Sequence, residues 1–423
     1  MPPSLRGRLA RNTFGAWFEA SPHRPVCYHR RSLTMQIVQA VFGVFHHFEL
    51  AHQLHRRGHL RRIYSTWPWA RLKREGLPRS LVSCFPWLHA ADHVLGRSRF
   101  YPRSVSAQVN RWNTLAFDEY LCRVMPSCDA FIGISSAGVL AGQIVQRRGG
   151  RFICDRGSTH QRLQTATLRE EYSRWNIPLE PEALHVILRD EQMYAAADAI
   201  TVPSAVARRS FLKMGVAAEK VEVIPYGVRL DRFKKMAATP EDSFEVLFAG
   251  QVSLRKGIPY LLQAFARLRH PRKRLTVVGS VQPHLRPLLE RLPTEGVTFL
   301  GSVSQDVLIG HMSRSHVMVL PSVEEGLALV QAQAMACGCP VIATEATGAE
   351  DLFTDGVEGF IVKDRDVDAL AARLQLVADD PELRERLAEA ALRRVSAMGG
   401  WDEYGRHWDT FLHRLTGLAP DPD

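Results

Sequence analysis

Short apolar runs separated by amphipathic stretches organise most of this chain. In the second half the runs Phe244–Ala249, Leu275–Ser280, Val297–Ser302, Val317–Ser322, Pro340–Glu345 and Gly359–Asp364 read as strands. Helical patterns fill almost every gap: Ile258, Leu261, Leu262, Phe265 and Leu268 return to one helix face. Strands alternating with helices at this interval predict a parallel, doubly wound sheet. Near-continuous apolar strands agree, because helices cover both faces of such a sheet. The first half is less regular. Its strand-like runs are Met35–Ala40, Arg61–Thr66, Ala130–Ser135, Arg151–Arg156, Ala199–Ser204 and Val221–Tyr226. Phe48–Gly58 reads as a helix ended by its glycine, and Ser204–Lys213 as a helix capped by Ser204. Residues 161–190 are polar and helix-prone, an insertion or an elongated helical lobe.

These elements predict an α/β chain of two Rossmann-like domains facing a cleft. The first spans 35–238 and the second 244–400, joined by the Pro-containing linker 236–243. An aromatic-rich helix, 401–417, ends the pattern; its aromatic face suits packing against either domain, including back on the first. Ligands of such sheets bind at the carboxyl ends of the strands, so the cleft is the expected site.

Composition narrows the class. With 423 residues, 46% of them apolar and 23% charged, the chain is long enough for two cores and too apolar for disorder. Its 7 cysteines are odd in number, irregularly spaced and without a C-x-x-C pair. That usage suits a reducing compartment and argues against a zinc site. The longest uncharged stretch, Gly326–Thr344, contains Gln331 and Gln333 and is broken by Gly338 and Pro340, so it reads as helix, turn and strand rather than a span. Residues 1–34 carry six arginines and one acid, Glu19. They are expected to be an unstructured basic tail, or an upstream start added to a gene that begins at Met35.

Charge is divided unevenly. Residues 1–240 hold 35 Lys/Arg and 18 Asp/Glu, a net +17; residues 241–423 hold 19 and 26, a net −7. No helix-turn-helix or zinc-finger spacing accompanies the basic half, so a nucleic-acid partner is not expected. An anionic membrane surface, an anionic lipid-linked substrate or a solvated arginine-rich surface each accounts for the asymmetry.

Three motifs stand at predicted strand ends. After Pro321-Ser322 comes Val-Glu-Glu-Gly-Leu-Ala-Leu-Val-Gln-Ala-Gln-Ala-Met-Ala-Cys-Gly-Cys-Pro-Val-Ile-Ala-Thr. Glu325 and Gly326 fall where a strand is expected to pass into a helix, whose free N–H groups suit a phosphate or sugar hydroxyl. Gln333 follows Glu325 by eight positions, two turns along the same helix face. Phe248-Ala-Gly-Gln-Val-Ser-Leu-Arg-Lys-Gly257 pairs a tight-turn Gly250 with two cations, Arg255 and Lys256, that suit a diphosphate. Val223-Ile-Pro-Tyr-Gly-Val-Arg-Leu-Asp-Arg-Phe233 is a strand ending in a Gly loop.

In this order these motifs resemble the retaining glycosyltransferases of family 4, with the GT-B fold. The resemblance runs from about Met35 to Trp401 and is most specific over Glu325–Ile342. It implies a nucleotide-diphosphate sugar held mainly by the second domain. Arg255 and Lys256 match the segment that neutralises the diphosphate, with Gly250 and Gln251 beside them. Glu325 matches the glutamate that reaches the donor sugar, next to Gly326 and Leu327. Gln333 replaces the family's second glutamate, and Gln251 stands where many members have arginine. On the first domain Gly43 matches the glycine loop facing donor and acceptor. His160 stands near a histidine often found close to the sugar, with His46 and His47 as weaker candidates. The family needs no metal and no cofactor. The implied reaction is transfer, with retention, to a hydroxyl of a glycan or lipid-linked acceptor in cell-surface polysaccharide or glycolipid synthesis. The expected location is bacterial and cytoplasmic, peripheral at the inner face of the inner membrane. Gln251 and Gln333 also allow a non-catalytic GT-B subunit that partners an active transferase. Asp364-Arg-Asp366 is read as loop acids near a helix start rather than a metal motif. No G-x-G-x-x-G follows the first strand, which argues against a nicotinamide enzyme.

Overall fold

The computed structural model describes residues 34–87, 92, 103–179, 184–229 and 231–419. All but Thr34 of the expected basic tail lies outside them. From Thr34 onward the chain forms one compact unit built around two parallel sheets.

The first sheet comprises β1 (Ile37–Val41), β2 (Leu60–Ser65), β3 (Val82–Cys84), β4 (Ala130–Ile134), β5 (Arg151–Asp155), β6 (Ala199–Val202) and β7 (Val221–Val223). Their spatial order is β3-β2-β1-β4-β5-β6-β7. The second comprises β8 (Phe244–Ala249), β9 (Lys273–Val278), β10 (Val297–Gly301), β11 (Val317–Leu320), β12 (Val341–Thr344) and β13 (Gly359–Val362). Its order is β10-β9-β8-β11-β12-β13. Each sheet grows outward in both directions from its first strand. The order therefore reverses between β1 and β4, and between β8 and β11. Loops leaving neighbouring strands at such a switch point diverge to opposite faces and open a crevice at the carboxyl edge.

The helices that matter for the site are α1 (His47–Arg56), α2 (Gln161–Arg174), α3 (Leu184–Ala196), α4 (Ala205–Lys213), α5 (Ile258–Arg267), α6 (Val330–Ala336) and α7 (Gly400–Thr416). In α5 the periodic residues Ile258, Leu261, Leu262 and Phe265 are all buried. Ser204 caps α4, its hydroxyl accepting from the Ala207 N–H at 3.1 Å. The polar stretch 161–190 resolves into α2 and the start of α3. β3 escaped the sequence reading because three residues carry too little periodicity. Most other strands stop one to three residues before their predicted ends, where the chain turns into the loops that carry the site.

The second sheet owns one continuous core, from Val246 and Leu247 to Met318 and Ile342. The first sheet owns two, one on each face. Helix α7 belongs to the first sheet: Tyr404, Trp408, Phe411 and Leu412 pack with Met35, Phe48, Leu50 and Leu54. Asp402 of α7 accepts from Gln53 Nε2 of α1 at 3.0 Å. The C-terminal segment thus crosses back and ties the end of the chain to its beginning. Among the described residues, no helix is long and apolar enough to cross a membrane.

Candidate functional site

The loops leaving β8 and β11 meet at the switch point of the second sheet. The β8 loop ends at Gly257, with φ of +67°; a Cβ there would lie 1.8 Å from the Pro321 carbonyl oxygen. Only glycine allows this packing. It sets Arg255 and Lys256 directly against the turn that follows β11. Val323 N–H donates to the Arg255 carbonyl at 2.9 Å, locking the two loops backbone to backbone.

Two adjacent glutamates receive the two cations. Arg255 Nε donates to Glu324 Oε2 at 2.7 Å, and its Nη2 to Glu325 Oε2 at 3.3 Å. Lys256 Nζ pairs with Glu325 Oε1. The glutamates are almost fully buried, while the Arg255 side chain keeps 34% of its surface and Lys256 17%. The cations thus form the accessible side of the cluster. Two positive and two negative groups at one point leave little net charge. An incoming diphosphate would compete with Glu325 for the cations rather than build a site from nothing.

Glu324 was not singled out from the sequence, and it is the most heavily bonded of the group. It also accepts from Ser158 Oγ at 2.7 Å, Thr159 Oγ1 at 2.6 Å and Gln164 Nε2 at 2.9 Å. Burial acts to raise its pKa, but Arg255 and the Thr159 and Ser158 hydroxyls outweigh that and bring it down to about 2. Because Ser158, Thr159 and Gln164 follow β5, Glu324 joins the two sheets. Gly326 completes the join: a Cβ there would fall 2.0 Å from the Gly157 carbonyl oxygen. Arg156 stiffens the first-sheet side, donating to the Thr159 carbonyl, Gln161 and Gln164 and pairing with buried Asp190 at 3.2 Å. The signal for Glu324 was present as the doublet Glu324-Glu325, of which the family pattern uses one.

A second joint lies further along α2. Buried Glu171 accepts from Arg365 Nε at 2.6 Å, Tyr260 Oη at 2.6 Å and Trp175 Nε1 at 2.9 Å. Asp364 also pairs with Arg365, and Asp366 caps a helix through the Ala369 N–H. Both acids of the Asp-Arg-Asp segment are thereby engaged within the protein.

One local expectation is corrected. No helix opens at Glu325; α6 begins at Val330. The intervening backbone is drawn outward, with the Ala328 N–H donating to the Thr347 carbonyl at 3.1 Å and the Ser204 hydroxyl to the Gly326 carbonyl. Glu325 and Gln333 therefore do not share a helix face. Gln333 lies half-buried in α6, while its neighbour Gln331 is fully buried and donates to the Ala328 and Thr347 carbonyls.

The remaining candidates are distributed around this cluster. Gly250 and Gln251 stand just after β8, with exposed Gln251 accepting from Gln282 Nε2 at 3.2 Å. Leu327 is buried beside Gly326. Gly43 lies after β1 in the other sheet, its N–H donating to Thr66 Oγ1 at 3.0 Å and its carbonyl accepting from Ser65 Oγ at 2.7 Å. His160 follows Thr159, whose hydroxyl bonds to Glu324. It caps α2, and its ring packs against Tyr194 and Phe211 at centroid distances of 4.9 and 5.0 Å. Burial there lowers its pKa to about 4, so the ring is neutral at pH 7.

The solved sucrose-phosphate synthase of Thermosynechococcus elongatus superposes with a TM-score of 0.68 over 91% of this chain and all of its own, at 20% identity. HepE of Anabaena, solved in complex with UDP and glucose, gives 0.63 over 90% of this chain and all of its own, at 17% identity. The chain has the GT-B fold. Residues 231–394 match the family model described as "Glycosyl transferases group 1", which takes in the whole Arg255–Glu325 corner. The D-inositol 3-phosphate glycosyltransferase of Streptomyces avermitilis is 31% identical over 285 residues, 62% of this chain and 60% of that protein. The capsular polysaccharide biosynthesis glycosyltransferase CapM of Staphylococcus aureus is 26% identical over 250 residues, 53% of this chain and 64% of that protein. The chain thus spans about three fifths of the length of the first curated relatives it matches.

Proposed function

We propose that this GT-B protein is a retaining glycosyltransferase of family 4, moving a sugar from a nucleotide-diphosphate donor to a hydroxyl of a glycan or lipid-linked acceptor. The observation that carries the reading is the Arg255–Lys256–Glu325 corner at the switch point of the second sheet. The group 1 match and the glycosyltransferase relatives support it.

In this reading Arg255 and Lys256 turn from the glutamates to the donor diphosphate. Their charge stabilises the negative charge that builds on the leaving phosphate oxygen. Glu325, freed from part of its ion pairing, accepts from a hydroxyl of the donor sugar and orients it. The acceptor oxygen bonds to the anomeric carbon, and the bond from that carbon to the diphosphate breaks. Its electron pair stays on the departing oxygen, which takes the acceptor proton. Chain residues position the partners, and the reaction calls for no metal. Gln333 offers one acceptor and two donors to the ribose where a carboxylate would only accept. Peripheral contact of the basic first half with an anionic inner-membrane surface, on the cytoplasmic side, fits a lipid-linked acceptor.

A non-catalytic GT-B subunit is the second reading, favoured by Gln251 and Gln333. One experiment separates them: a thermal-shift screen of the purified chain against UDP, GDP, ADP, CMP and their sugar conjugates, followed by turnover with whichever donor binds. A shifted melting temperature with donor turnover by the chain alone supports the transferase. Binding without turnover across acceptors supports the subunit, and no shift with any nucleotide overturns the donor site.

A further inference from the structure

The first sheet has its own cluster at its carboxyl edge, and the glycosyl-transfer reading makes no use of it. His46 ends the loop after β1, His47 opens α1, and Asp155 is the last residue of β5. His46 Nε2 lies 2.7 Å from Asp155 Oδ2, and His47 Nε2 lies 3.3 Å from the same oxygen. The three donor atoms fall within 4.8 Å of one another. Side-chain exposures are 11%, 0% and 4% for His46, His47 and Asp155. The other carboxylate oxygen is anchored separately, accepting from Thr201 Oγ1 at 2.9 Å.

His47 is the unusual member. Its ring is fully buried, yet neither nitrogen has a hydrogen-bond partner. A buried polar group left so costs about 1–3 kcal/mol. One atom at the point where the two Nε2 atoms and Oδ2 converge would give His47 a partner. Tetrahedral ligands at bonds of about 2.0–2.2 Å stand roughly 3.3 Å apart. The 3.3 Å separation of His47 Nε2 from Asp155 Oδ2 already matches that spacing, and the 2.7 Å separation of His46 Nε2 would have to widen. The Tyr226 hydroxyl lies 3.5 Å from His46 Nε2. Thr201 supplies the outer-shell bond that orients a ligating carboxylate.

We propose that His46, His47 and Asp155 hold one divalent transition-metal ion of the zinc class. Two imidazoles and a carboxylate are a donor set that suits such an ion. The cysteine pattern argued against zinc, but no cysteine takes part here. The ion clamps the loop carrying Gly43 to the end of β5, two residues before Gly157, which abuts Gly326. Its role is structural, holding the first-sheet wall of the cleft, and it does not rest on the proposed reaction.

The test uses the full chain, stripped with chelator and titrated with Co²⁺, with bound metal counted by elemental analysis and zinc affinity measured by calorimetry. The expected result is one ion per chain, with visible d–d absorption of a four- or five-coordinate site. His47→Gln and Asp155→Asn should each weaken affinity by about 100-fold or more, and Thr201→Val by about 10-fold. A second group, His59, Asp409 and His413, also draws its donor atoms together. His59→Gln is therefore the control and should leave the titration unchanged. If the variants of the buried residues do not fold by circular dichroism, His46→Gln, at the cluster's exposed side, carries the test. No saturable ion, or a saturable ion lost in His59→Gln and kept in His47→Gln or His46→Gln, overturns the proposal.

Discussion

Both sheets gather charged and titratable groups at the carboxyl edge beyond their first strand, and they build these clusters from different materials. At the β8/β11 corner two cations face two carboxylates, with one partly exposed layer and one buried layer. At the β1/β5 corner two imidazoles converge on one buried carboxylate, and most of the group is sealed. The first corner can exchange partners, because Arg255 and Lys256 reach solvent. The second cannot exchange easily, because His47 has no exposed surface and no alternative bond. A switch point supplies a crevice in both sheets. Which one is open to a ligand depends on whether its charged groups keep a hydrated face.

The adjacent glutamates sharpen this contrast within a single turn. Glu324→Ala should produce the largest effect. It strips a buried partner from Arg255 and leaves Ser158, Thr159 and Gln164 without their acceptor, at a cost of about 3 kcal/mol. Urea denaturation would register it as a lowered midpoint. A loss under about 1 kcal/mol would mean that Glu324 does not join the sheets.

Glu325→Ala and Lys256→Ala should do the reverse. Each is expected to cut donor turnover about 100-fold or more while moving the urea midpoint little. Steady-state kinetics beside a melting curve would decide it, and full activity in both variants would place the site elsewhere.

Acid should act next, and chiefly on Glu324. Its folded pKa lies near 2, below the ordinary 4.5. The stability it contributes is therefore present above about pH 4.5 and is lost as pH falls toward 2. Glu324→Gln should flatten that part of the stability-versus-pH curve, and an unchanged slope would show that another carboxylate governs acid unfolding.

His160 offers a smaller, local comparison. Its buried ring should remain neutral at pH 5.5, and Phe211→Ala should let water in and raise its pKa toward 6.5. Histidine NMR titration reads this directly. A wild-type midpoint near 6.5 would mean that the ring is solvated and free for the cleft.

The smallest change expected is Gln333→Glu. If Gln333 meets the ribose, restoring the acid should tighten nucleotide binding several-fold, or about 1 kcal/mol. Calorimetry showing no change would remove Gln333 from the donor site.

Much of this architecture could be read in advance, and what could not has a physical cause. The second sheet was legible because its buried strands are nearly unbroken apolar runs and α5 carries four inward residues at helical spacing. β3 was not, since three residues give no period. Arg255 and Lys256 on one loop, and Glu325 on another, were legible because each lies within about six residues of a predicted strand end. The conformation of Gly326–Leu329 was not, because its hydrogen bonds go to Thr347 and Ser204, distant in sequence. The packing of the His160 ring against Tyr194 and Phe211 was not legible, because sequence spacing does not bring their helices near it.

Local pattern determined the alternation of strands and helices, the parallel sheets and the charged residues at the strand ends. Those features depend on periodicity and on residues close along the chain. Only the tertiary structure decided which of two neighbouring buried glutamates bonds across to the loop after β5 and which pairs with Lys256. It also decided that α7 returns to α1, and that His46 and His47 meet Asp155 more than a hundred residues away. Contacts of that kind form because closing a long loop costs little more than closing a short one, while the burial they bring is large.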